Sequence, residues 1–97
     1  NGFFITKSLL AAYYQNNDLD SIERTIVPKL NVKDIDPVML GFYSYVLLTK
    51  GKDEDAQKFF LKAKEKGLTR KRLSLFVNYK KVLDEFIEKL KPLGSLD

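Results

Sequence analysis

Hydrophobic positions recur at intervals of three and four residues along most of the chain, which is the spacing of an amphipathic α-helix. The first run of this kind extends from Phe3 to Gln15 and includes Phe4 and Tyr13. A second stripe, from Ile22 to Leu30, follows after a short polar stretch. Since no segment alternates polar and apolar residues in the manner of a β-strand, the pattern predicts an all-α fold.

Turn and capping residues divide this pattern into separate helices. The polar residues at positions 16–18 form the first turn. The second helix is predicted to begin at Asp20, because Glu23 three residues later completes a capping box. Pro28 cannot donate a hydrogen bond and disfavours helical geometry in the residue before it, so this helix is expected to end or kink there.

The third and fourth helices have clear boundaries. Asp36 can cap the third helix, and Pro37 follows at the first helical position, where a missing donor costs nothing. This helix is predicted to run to about Lys50. Three acidic residues at positions 53–55 complement the positive end of a fourth helix, and Gly67 is expected to close it in a left-handed conformation.

The remaining apolar residues predict one further helix, longer than the others. Thr69 can cap it, and Pro92 and Gly94 can end it. Its stripe has the helical spacing throughout: Phe76, Tyr79, Leu83, Phe86 and Leu90. The sequence therefore predicts a single C-terminal helix over about residues 70–91.

The chain contains an internal repeat. Segment 9–30 can be aligned with segment 43–64, which lies 34 residues later. Apolar residues then match apolar residues, as Leu9 matches Tyr43, and the turn residue Asn17 matches Gly51. A period of this size is typical of stacked two-helix units, which cannot bury their apolar faces singly.

Large and small side chains follow a fixed order in the second unit: Leu40, Tyr43, Ser44, Leu47, Gly51, Ala56, Phe60 and Ala63. This order resembles the signature of a tetratricopeptide repeat, although Leu68 stands where that repeat usually has proline. The first unit matches less well, because Ile22 and Lys29 occupy positions of small residues. The resemblance implies a right-handed α-α superhelix with a first repeat over about 3–36, a second over about 37–70 and a capping helix over about 70–91.

At 97 residues the chain has room for one domain. It starts directly in helical pattern, so we expect it to be an excerpt of a longer protein. Two repeats are fewer than such stacks usually need for stability. We therefore expect an end of the stack to be covered by more of the same protein or by a second copy.

Tetratricopeptide arrays bind partners on a concave groove lined by the first helix of each unit. The resemblance places nine residues there: Lys7, Ala11, Tyr14, Gln15, Gly41, Tyr45, Leu48, Thr49 and Tyr79. Three tyrosines in this set recur at spacings of 31 and 34 residues and suit a partner's helix or peptide. The alternative interpretation is that the tyrosine stripe belongs to the core.

Charge suggests another function. The net charge is +4, and the segment from Gln57 to Lys81 has nine basic residues against one acidic residue. Such a segment can bind nucleic acid, anionic lipid or an acidic partner. The candidate nucleic-acid residues are Lys64, Lys66, Arg70, Lys71, Arg72, Lys80 and Lys81.

Residues near the fourth helix also resemble a pentatricopeptide repeat, whose members read single-stranded RNA one base per repeat. The resemblance lies in Ala56, Phe59-Phe60 and Gly67. The positions that would face the bases hold Lys7, Gly41 and Leu75, none of which is the small polar residue such readers use. This argues against coded RNA reading and leaves binding to the RNA backbone open.

The sequence offers little for catalysis. It has no cysteine and no histidine, and its adjacent acidic residues at 53–55 point in different directions around a helix. We therefore expect no catalytic residue, no metal site and no cofactor. The longest uncharged runs, 8–17 and 37–49, are too short to span a bilayer. The absence of cysteine fits a cytoplasmic protein without excluding other compartments. The expected function is a non-catalytic protein interaction module, with nucleic-acid binding as the alternative.

Overall fold

Six α-helices and one turn of 3-10 helix make up the computed structural model, which describes residues 2–96 and the side chains of residues 5–96. The helices are α1 (Gly2–Gln15), α2 (Leu19–Ile26), α3 (Pro37–Thr49), α4 (Asp53–Glu65), α5 (Arg70–Ser74) and α6 (Lys80–Leu90), and the 3-10 turn is Val27–Lys29. The described residues contain no strand, so the all-α class is confirmed. The expected role of Phe4 in the first apolar stripe and the two chain ends, Asn1 and Asp97, lie outside the described part.

The caps of α3 and α4 follow from local chemistry. The backbone N–H of Val38 donates to Asp36 Oδ1 at 2.8 Å, as predicted. Gly51 and Gly67 have φ of +79° and +104°, a left-handed region that glycine enters without a Cβ clash. The ends of α3 and α4 are therefore determined by residues that lie within a few positions of each end.

The start of α2 differs from the prediction. Its cap is Asp18 rather than Asp20, because Asp18 Oδ1 accepts from the Ser21 N–H at 3.1 Å. Asn17 makes this possible, since its left-handed φ of +56° turns the chain before Asp18. Glu23, the expected partner in a capping box, instead accepts from Lys50 Nζ at 2.7 Å. α2 ends at Ile26 before Pro28, as expected.

The prediction of one long C-terminal helix is wrong. Residues 75–79 are not helical and divide it into α5 and α6. Phe76 and Val77 are both buried at this break, and Tyr79 is exposed. The break also turns α6 back across the molecule.

The core is built around α3, and α4 packs along it most extensively. Small side chains at Ala56 and Ala63 are fully buried in this contact, with Phe60 between them. Side chains of this size allow two helices to approach each other closely. The buried hydroxyl of Ser44 donates within α3 to the carbonyl oxygens of Leu40 and Gly41, at 3.0 and 2.9 Å.

None of the helices in the described chain is both long enough and apolar enough to cross a membrane.

Candidate functional site

Two residues of the predicted groove, Tyr14 and Tyr45, lie beneath α6. The phenyl ring of Phe86 sits 4.9 Å from the ring of Tyr14 and 5.5 Å from the ring of Tyr45, measured between centroids. It also lies 4.7 Å from the ring of Phe42. Tyr14 and Tyr45 are both buried. In this structure, therefore, a helix of the same chain covers the rings of Tyr14 and Tyr45.

A lysine closes the rim of this aromatic cluster. Lys89 Nζ lies 4.9 Å from the ring centroid of Tyr14 and 5.8 Å from that of Tyr45, in cation–π geometry. The Tyr14 hydroxyl is buried, and its polar neighbour is the Lys89 ammonium. Burial raises the pKa of Tyr14, and the nearby ammonium opposes the shift. The Tyr14 hydroxyl in turn raises the pKa of Lys89 above its ordinary value.

Three more residues of the predicted groove contact their own chain: Lys7, Ala11 and Gly41. Lys7 Nζ forms an ion pair with Asp36 at 2.7 Å and lies 4.5 Å from the ring centroid of Phe76. Ala11 and Gly41 are buried, and a Cβ added at Gly41 would come within 3.0 Å of the Leu68 side chain. A partner cannot reach these residues while α6 and its flanking segments stay in place.

The other predicted groove residues are dispersed. Gln15, Thr49 and Tyr79 are exposed and Leu48 is half-buried. The structure does not bring the nine residues together on one open surface. The alternative interpretation, in which the tyrosine stripe is part of the core, describes Tyr14 and Tyr45 but not Tyr79.

The basic residues are partly engaged with their own chain. Arg70 and Lys80 both form ion pairs with Asp84, and these contacts lower the pKa of Asp84, with Arg70 the stronger influence. Lys66 Nζ donates to the Lys33 carbonyl oxygen at 3.3 Å, and Lys64 lies over the Phe60 ring. The other three candidates are exposed and form no ion pair within residues 5–96: Lys71, Arg72 and Lys81.

The surface that the sequence analysis missed is the outer face of α1, formed by Ile5, Leu9 and Ala12. Ile5 is 61% exposed and Leu9 is 44% exposed. The only charged residue of α1 is Lys7, which points into the molecule toward Asp36. The outer face is thus apolar and uncharged. Its signal in the sequence is the uncharged run over residues 8–17.

A polar cleft of about 310 Å³ lies between the end of α1 and α6. Its charged side chains are Glu85 and Lys89. Within the described residues no three acidic side chains converge as metal ligands would. The arrangement offers neither a pair of carboxyl groups nor a nucleophile beside a base.

No family model matches this chain, and neither a curated protein nor a solved structure matches it at a significant level. The resemblance to tetratricopeptide and pentatricopeptide repeats therefore stays a prediction from the residues.

Proposed function

We propose that this chain is a non-catalytic protein interaction module that associates through the outer face of α1. The observation that carries the proposal is the exposure of Ile5 and Leu9 on a helix whose one charged side chain points inward. Protein interfaces are depleted of charged residues at their centre. An exposed apolar stripe without charge is typical of a docking surface.

The two helical hairpins support this proposal. α1 packs with α2, α3 packs with α4, and the first hairpin covers one side of the second. In a stack of helical repeats each unit covers the apolar face of the next one. The first hairpin has such a face on its outer side. We therefore take the molecule to be two tetratricopeptide-like units of a right-handed superhelix, with α5 and α6 as its cap.

We propose that the occupant of the outer face is a second copy of the chain. With a net charge of +4, two copies repel each other at long range. The outer face of α1 lets two copies approach without apposing like charges. A twofold axis would place each Leu9 near its counterpart, because a symmetric dimer uses the same patch twice. The small size of the face fits a weak, reversible dimer.

Sedimentation velocity over a wide concentration range tests the association. We expect the average mass of the wild-type chain to rise with concentration, and Leu9→Glu to abolish that rise. The matched control is Leu61→Glu, because Leu61 is 50% exposed but lies on α4. This control should associate like the wild type. A wild-type chain that stays monomeric throughout, or an equal effect of the two variants, would refute the dimer.

Single introduced cysteines test the proposed arrangement of the two copies, since the chain has no cysteine of its own. A disulfide needs Cα atoms within about 7 Å of each other. Leu9→Cys should give a covalent dimer under mild oxidation, whereas Leu61→Cys should not. Efficient cross-linking at position 61 with none at position 9 would place the contact on another face.

Binding at Tyr14 and Tyr45 has weaker support, since Phe86 of α6 packs against both rings. Nucleic-acid binding also has weaker support, because four of the seven candidate cations contact groups of their own chain. We therefore place the interaction on the outer face.

A further inference from the structure

The 75–79 loop, between α5 and α6, exposes two large apolar side chains. Leu75 is 59% exposed and Tyr79 is 70% exposed, the latter more than any other large hydrophobic side chain described. Between them, Phe76 and Val77 are buried. The loop thus buries its two central apolar side chains and leaves the apolar side chain at each end exposed to solvent.

Backbone hydrogen bonds hold the loop at both ends. The N–H groups of Phe76 and Val77 donate to the Leu73 carbonyl oxygen at 3.0 and 2.9 Å. At the other end, the Leu83 N–H donates to the Tyr79 carbonyl oxygen at 2.9 Å. Leu75 and Tyr79 are therefore displayed from an ordered base that binding would not have to organise.

The surroundings of this loop are strongly basic. Residues 66–83 include six basic residues and no acidic one. The nearest acid in sequence is Asp84, and it is already paired with Arg70 and Lys80. Lys71, Arg72 and Lys81 form no ion pair among the described side chains. Two exposed apolar residues are thus flanked by uncompensated positive charge on both sides.

We propose that the 75–79 loop docks onto anionic lipid bilayers, with Leu75 and Tyr79 entering the headgroup region. Tyrosine is favoured at this depth because its ring is apolar and its hydroxyl can stay hydrated. Leucine gains by leaving water. Lys71, Arg72 and Lys81 are attracted by the negative surface potential of the lipid. The loop lies on the membrane surface and does not cross it.

Leu75 favours lipid over single-stranded nucleic acid. Nucleic-acid platforms use aromatic rings, on which bases stack, together with cations that follow the phosphates. Tyr79 and the cations fit that scheme, but an aliphatic side chain offers no stacking surface. In a bilayer interface both exposed side chains contribute. This inference does not depend on dimerisation through α1, because it uses a different surface.

Tryptophan fluorescence can test the docking directly, because the chain contains no tryptophan. Tyr79→Trp places a single probe in the loop, and Leu61→Trp places a matched probe on α4. Vesicles of mixed phosphatidylcholine and phosphatidylserine should shift the emission of the Tyr79→Trp probe to the blue at low salt. They should leave the Leu61→Trp probe unchanged. Equal shifts, or none for either probe, would overturn the proposal.

Vesicle co-sedimentation separates the contribution of the apolar side chains to binding from the contribution of the basic side chains. Leu75→Ser with Tyr79→Ser should reduce the bound fraction about tenfold, since two apolar anchors are lost. Lys71→Gln with Lys81→Gln should weaken binding to the mixed vesicles and its dependence on salt. The control pairs are Val32→Ser with Leu61→Ser and Lys33→Gln with Lys52→Gln, all at exposed positions. Equal losses in a control pair, or equal binding to pure phosphatidylcholine, would contradict the proposed site.

The same variants distinguish nucleic acid from lipid. If the loop were a nucleic-acid platform, single-stranded poly(U) would bind more tightly than the vesicles. Tyr79→Ser would then weaken that binding while Leu75→Ser would not. That result would overturn the lipid proposal. Loss of vesicle binding in both single variants, with poly(U) binding weak and unchanged, would support it.

Discussion

The helices α1 and α3 are similar in composition but differ in how much of their surface is covered. α3 has no charged residue, and α1 has only Lys7. Nearly all of α3 is buried, as a helix that is apolar all round requires. α1 contacts α2, α3 and the ring of Phe86 on one side and leaves Ile5 and Leu9 exposed on the other. Of these two apolar helices, α3 is almost entirely covered and α1 is covered on one side only.

The difference shows what encloses α3. α4 covers one side and the first hairpin another, and α6 returns to cover the aromatic ring of Phe42. Nothing within the described residues does the same for Ile5 and Leu9. Since the two helices have a similar apolar composition, the difference in burial comes from their positions in the fold. In the stack of repeats that we propose, an outer unit keeps the apolar face that an inner unit buries.

Phe86→Ala should have the largest effect on this comparison, because it removes the ring that covers α3. Truncating a buried phenylalanine costs about 3–5 kcal/mol. In so small a domain this is a large fraction of the total stability. Urea unfolding should show a much lower midpoint. Tyr79→Ala serves as the exposed aromatic control and should change the midpoint little. A small effect of Phe86→Ala would mean that α6 does not belong to the core.

Ala56→Leu and Ala12→Leu compare a buried and an exposed alanine on adjacent hairpins. Ala56 is fully buried against α3, so leucine there should overpack the contact and cost about 1–3 kcal/mol. Ala12 is exposed on the outer face of α1, and leucine there should change the free energy of unfolding by less than about 0.5 kcal/mol. Urea unfolding at low protein concentration measures both. An unchanged midpoint for Ala56→Leu would contradict the packing of α4 on α3.

Lys7→Met tests whether the single charge of α1 anchors its inner side. The variant removes the ion pair with Asp36 but keeps an unbranched side chain over the ring of Phe76. We expect a loss of about 1 kcal/mol, since the pair is partly buried and its distance is short. Lys52→Met, at an exposed position, is the control. If both variants unfold like the wild type in urea, the ion pair does not contribute to stability.

Asp84→Asn should have the smallest effect on stability of the four changes, and that effect should depend on pH. Arg70, and then Lys80, lower the pKa of Asp84 below its unfolded value of 3.8. The contribution to stability is therefore present above about pH 4 and is lost as the pH falls through the lower, folded-state pKa. Thermal unfolding should show Asp84→Asn slightly less stable than the wild type at neutral pH and equal to it in strong acid. A difference that persists unchanged in acid would assign the effect to packing.

Local chemistry in the sequence determined much of this fold. The cap at Asp36, the turns at Gly51 and Gly67, and the end of α2 before Pro28 each depend on a few neighbouring residues. The burial of Ala56 follows from side-chain size at a helix contact. These features could be predicted because their causes lie within one or two helical turns of the chain. The tetratricopeptide resemblance and the interaction function remain proposals.

Only the tertiary structure decided the path of the C-terminal segment. The spacing from Phe76 to Leu90 is compatible with one straight helix, because periodicity does not record which surfaces are available for burial. The break over residues 75–79 is favoured by placing Phe86 against Tyr14 and Tyr45. That gain comes from residues more than forty positions away in the sequence. For the same reason the sequence could show that α3 has no charged residue and α1 only Lys7, but not which of the two helices would have an uncovered face.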